Sequence, residues 1–74
     1  MYGVSVSREA ELERLMNRPL APHEISKQFA GLTVAVVYRD NGYYDVKEFI
    51  KPNDPDYAVW QKNMMDRKFT ILSV

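Results

Sequence analysis

The chain has 74 residues, no cysteine, and ten basic residues set against ten acidic ones. A single domain of that length buries only about 60% of its unfolded surface, and neither disulfides nor a thiolate metal site can add stability. Charge neutrality argues against a duplex-binding protein, which presents a basic face, and no apolar run reaches the length of a membrane span or signal-peptide core.

One soluble, cytoplasmic domain over residues 1–74 is therefore expected. Tyr2, Val4 and Val6 alternate with Gly3, Ser5 and Ser7, the period of a short strand with one buried face. Ser7 then caps a helix that places Glu9 and Glu11 in its first turn, where the dipole favours negative charge. Leu12, Leu15 and Met16 form its apolar stripe, and Pro19 ends it. Pro22 suits the first position of a second, shorter helix, with Ile25 and Phe29 one turn apart and Gly31 as the cap. His23 is the only histidine. It reads as a solvated residue of that first turn, because no cysteine is present to join it as a ligand.

The richest signal lies at residues 32–51, LTVAVVYRDNGYYDVKEFIK. β-Branched and aromatic residues flank a turn signal, which predicts a β-hairpin. A two-residue loop at Asn41-Gly42 sets Val36 opposite Lys47 and Ala35 opposite Glu48. A three-residue loop, Asp40-Asn41-Gly42, sets Tyr38 opposite Tyr44, Val36 opposite Val46 and Leu32 opposite Ile50. The second choice gathers the apolar residues on one face, which is what fixes register. It leaves Glu48 discordant on that face opposite Val34, needing a partner, a bulge or a strand end.

Beyond the hairpin, Asp54 caps a helix that starts at Pro55 and runs to about Arg67, with a stripe of Tyr57, Trp60, Gln61 and Met64. The last segment, FTILSV at residues 69–74, is largely apolar on both faces, as for a strand inside a sheet or against a partner. The order strand, helix, hairpin, helix, strand predicts a small two-layer α+β domain: an antiparallel sheet with a central hairpin and helices on one face, in the ferredoxin-like βαββαβ arrangement. Without the first strand, the alternative is two helices, a hairpin, a helix and a short strand.

No catalytic motif, phosphate-cradling glycine loop or metal-ligand spacing is present. Glu9 with Glu13 and Asp54 with Asp56 sit at helix starts, where capping accounts for them. No enzyme activity, cofactor or metal is expected. With the three-residue loop, the uncovered hairpin face carries Thr33, Ala35, Val37, Arg39, Tyr43, Asp45, Lys47 and Phe49. Val37, Arg39, Tyr43, Lys47 and Phe49 form the candidate partner-binding set, because tyrosine, phenylalanine and arginine together have interface-core composition. The expected function is a small interaction module, an adaptor or inhibitor of a larger protein, or a self-associating chain, that binds through the outward face or edge of the hairpin sheet.

A nucleic-acid-binding regulator is the alternative. The stretch RPLAPHEISKQFAGLT resembles the second helix and turn of a helix-turn-helix protein, with Ser26 at the small-residue position. That resemblance makes TVAVVYRD the recognition helix, within residues 19–39. NGYYDVKEF resembles the third-strand motif of RNA-recognition domains at Gly42, Tyr43 and Val46, but Asp45 and Glu48 replace the stacking aromatics. Nucleic acid is accordingly not an expected partner, and neither is a membrane.

Overall fold

The structure, a computed structural model, describes residues 8–74. In chain order it contains α1 (Arg8–Glu13), α2 (Pro22–Gln28), β1 (Thr33–Asp40), β2 (Tyr43–Ile50), α3 (Tyr57–Asp66) and β3 (Thr70–Ser73). The strand expected at Tyr2, Val4 and Val6 and the Ser7 cap lie outside the described residues.

β1 is the central strand, with β2 and β3 antiparallel on either side of it. The two outer strands therefore run parallel to each other, and α3 joins them across β1 as a split βαβ unit. The ferredoxin-like order is not reproduced. The described sheet has three strands, and its last strand pairs with the first strand of the hairpin.

Helices cover both sheet faces, which corrects the expected single helical layer. Alternation sends Val34 and Val36 to one side of β1 and Thr33 and Ala35 to the other. Val34 and Val36 join Val46, Leu12, Leu20, Ile25 and Phe29 in the main core under α1 and α2. Thr33 and Ala35 are equally buried on the side of α3, where the Tyr57 hydroxyl lies 3.2 Å from Thr33 Oγ1. Burial on both faces explains why the start of β1 is an unbroken run of small and β-branched residues.

The hairpin resolves the Glu48 conflict with two irregularities. Asn41 and Gly42 form a two-residue loop closed by the Asp40–Tyr43 pair. Both have positive φ, 53° and 83°, as a type I′ turn requires. An extra residue at Arg39 then restores the apolar pairs Tyr38–Tyr44 and Val36–Val46. A second bulge at Lys47 places Glu48 opposite Ala35, Phe49 opposite Val34 and Ile50 opposite Thr33. The three-residue loop is thus replaced, while its two central pairs stand. A bulge lets one strand change phase without breaking the ladder.

Local signals set the helix boundaries. After α1 the chain tightens into a turn, with Leu15 N–H donating to the Leu12 carbonyl at 2.9 Å. Asn17 then turns with φ 60° and donates its N–H to the Val46 carbonyl at 3.2 Å. Helical structure therefore ends well before Pro19. Pro22 opens α2, Glu24 Oε1 accepts the Ala21 N–H at 2.8 Å, and Gly31 follows with φ 83°. α3 buries Met64 and half-buries Tyr57, Trp60 and Gln61, the expected stripe. It ends in a Schellman pattern: Phe69 N–H donates to the Met64 carbonyl and Lys68 N–H to that of Met65.

Candidate protein-interaction surface

Burial along β1 falls away toward its end: Thr33 to Val36 are buried, Val37 is half-buried, and Tyr38 to Asp40 are exposed. The hairpin outruns its helices, so its far half presents side chains on both faces.

On the α3 side, Val37 pairs with Asp45. Arg39 holds the Asp45 carboxylate in a two-pronged pair, Nε to Oδ1 and Nη2 to Oδ2, both at 2.9 Å. These hydrogen bonds hold the Asp45 carboxyl below the usual aspartate range, with the Arg39 and Lys47 charges adding to them against the opposing effect of burial. The same bonds raise the Arg39 guanidinium further. Lys47 Nζ lies 4.0 Å from Asp45 Oδ2 and donates to Asn17 Oδ1 at 2.9 Å. Tyr43, on the closing rung with Asp40, is 42% exposed.

On the other side, the Tyr38 and Tyr44 rings meet edge to face at 5.3 Å. The Tyr38 hydroxyl accepts the Gly42 N–H at 3.3 Å, which ties the ring to the turn. Tyr38 is 57% exposed.

Of the candidate set, Val37, Arg39 and Tyr43 share this far half, and Lys47 reaches toward it from the bulge between the Ala35 and Val36 rungs. Phe49 does not. The Lys47 bulge turns it to the core side, where its ring lies 5.6 Å from that of Phe29. Thr33 and Ala35 are likewise unavailable beneath α3. Tyr38 was missed because strand alternation assigns it inward; the signal was its position beyond the last helix-covered rung.

Other chemistry is thin. A cleft of about 300 Å³ between the start of α1 and the end of β2 is lined by Arg8, Glu9, Lys51 and Asp54 around apolar walls. It holds no nucleophile–base pair. Among the described residues no group of three His, Asp or Glu side chains is placed to hold a metal, and no helix is long and apolar enough to cross a membrane. TVAVVYRD is the central strand, so the helix-turn-helix resemblance has no recognition helix; its valines lose χ1 freedom in a helix and fit a pleated sheet. No protein family, curated protein or solved structure matches the chain.

Proposed function

We propose that the chain is a small non-enzymatic interaction module, an adaptor or inhibitor that docks the far half of its hairpin onto a larger protein. The observation that carries the reading is the exposure of Tyr38 and Tyr43 on the two faces of the hairpin end, 57% and 42%, with the guanidinium of Arg39 fixed on the Tyr43 face. Tyrosine and arginine supply much of the binding energy at protein interfaces, because large rigid groups bury area at small entropic loss. The rung geometry adds preorganisation: the turn hydroxyl bond and the Arg39–Asp45 fork hold both groups before a partner arrives. Net charge zero fits a protein partner better than a polyanion.

The test is affinity capture from the native host with and without nuclease, comparing the wild-type chain with Tyr43→Ala. A protein partner that survives nuclease and is lost with Tyr43→Ala is expected. Capture of nucleic acid alone, or a partner held equally by both chains, overturns the reading.

A further inference from the structure

The two outer edges of the sheet are not alike. Along β2, Leu20 exchanges two backbone hydrogen bonds of 2.9 Å with Tyr44, and Asn17 N–H donates to the Val46 carbonyl at 3.2 Å. Residues 17–20 thus close that edge. Along β3 no described strand or loop does the same.

The pairing shows which β3 groups have no backbone partner among the described residues. Val74 N–H donates to the Leu32 carbonyl at 3.0 Å, so the hydrogen-bonded rungs toward β1 fall at Val74, Leu72 and Thr70. The N–H and C=O of Ile71 and Ser73 therefore point away from the sheet. Edge strands are commonly guarded by lysine, proline or a bulge. Thr70–Ser73 has none of these and no charge.

We propose that this edge pairs antiparallel with the same edge of a second copy, joining two three-stranded sheets into one of six. Symmetry selects the register. The free groups of Ile71 and Ser73 sit symmetrically about Leu72. An antiparallel copy centred there sets Ile71 against Ser73 of the partner subunit, and the reverse, and every free group in the strand finds a mate. Leu72 falls on the two-fold axis in a non-hydrogen-bonded rung, where facing side chains approach closest. It is the exposed large apolar residue of β3, at 37%. It also lines an apolar notch of about 160 Å³ with Pro22, Ile25, Tyr44 and Val74, on the face that the second Leu72 would share.

Charge does not oppose the pairing. In this register the two Lys68 residues lie eight rungs apart, roughly 26 Å at about 3.3 Å per residue, well beyond the ~8 Å screening length at physiological salt. The strand is short, so the dimer is a weak one whose population follows concentration. This inference goes beyond the proposed hairpin contact and stands or falls separately from it.

The absence of cysteine gives a clean test. Under mild oxidation Leu72→Cys should form a covalent dimer, since facing residues on such a rung meet the reach of a disulfide. Ser73→Cys, two rungs out of register with itself, should stay monomeric. For the unmodified chain, sedimentation should show mass rising from 8.6 kDa toward twice that value between about 10 μM and about 1 mM, the range of a weak contact. Ser73→Pro should abolish the rise with an unchanged melting temperature, because it removes only an outward N–H. Four results each overturn the proposal: a monomer at every concentration, equal cross-linking of both cysteine variants, a dimer that survives Ser73→Pro, or a monomer whose Ile71 and Ser73 amides resist hydrogen exchange. The last would mean that the same chain covers its own edge.

Discussion

The rings of Phe29 and Phe49 meet with centroids 5.6 Å apart and planes tilted by 55°, joining the end of α2 to the second hairpin strand. That contact depends on the bulge at Lys47. With Lys47 held in the regular ladder instead of bulged out, Glu48 would fall opposite Val34 in the main core and Phe49 opposite Thr33 on the α3 side. A charged side chain without a partner is strongly disfavoured there. The bulge is thus a structural requirement of this sequence.

Phe49→Ala should lower unfolding free energy by about 2 kcal/mol, below the ~3–5 kcal/mol of a fully buried ring because Phe49 is only half-buried. Lys47→Ala should be near neutral, and deleting Lys47 should be mild as well, because the ladder then runs straight from Val36–Val46 to Ala35–Glu48 and Val34–Phe49 with every side chain on its present face. Urea denaturation measures all three. A deletion variant that is largely unfolded would contradict the assigned register.

Tyr57→Phe removes the partner of the buried Thr33 hydroxyl. An unsatisfied buried group costs about 1–3 kcal/mol, so a loss in that range is expected. Adding Thr33→Val should recover most of it, since no buried oxygen is then left unpaired. Additive losses in the double variant would show that α3 does not dock over β1 as described.

Lys68 turns the chain after α3 with φ 66°, a conformation that glycine adopts without steric penalty. Lys68→Gly should therefore raise stability by about 0.5–1 kcal/mol. The gain should appear as a higher denaturation midpoint at constant slope.

Acid should weaken the hairpin end. A carboxyl whose folded pKa lies below its unfolded value stabilises the fold fully above the unfolded value, and that contribution is lost as pH falls through the folded one. Asp45 is such a group. The melting temperatures of wild type and Asp45→Asn should differ at neutral pH and converge as pH falls below about 4, the ordinary aspartate range. A gap that does not change with pH would contradict the assigned role of the Arg39 fork.

Much of this architecture was legible in the residues. Pro22 and Gly31 mark the limits of α2, the stripe from Tyr57 to Met64 marks α3, and the valines with Asn41-Gly42 mark the hairpin. The pairs Val36–Val46 and Tyr38–Tyr44 followed from matching apolar residues across the turn. What stayed hidden was phase. A bulge adds one residue without a composition signal of its own, and Glu48 showed only that something had to give. The side taken by α3 was hidden too, because an apolar helix stripe fits either face of a strand buried on both. For the same reason the candidate set does not stay together: Val37, Arg39 and Tyr43 lie at the hairpin end, Lys47 at the bulge, and Phe49 on the core side.

The central claim is that the far half of the hairpin serves binding rather than stability. The most direct test is to measure partner affinity and unfolding free energy together for the double variant Tyr38→Ala, Tyr43→Ala. Stability should fall by no more than about 1.5 kcal/mol, the upper value of one aromatic contact. Affinity for the captured protein should drop at least tenfold, about 1.4 kcal/mol. A double variant that binds as tightly as wild type would contradict the claim.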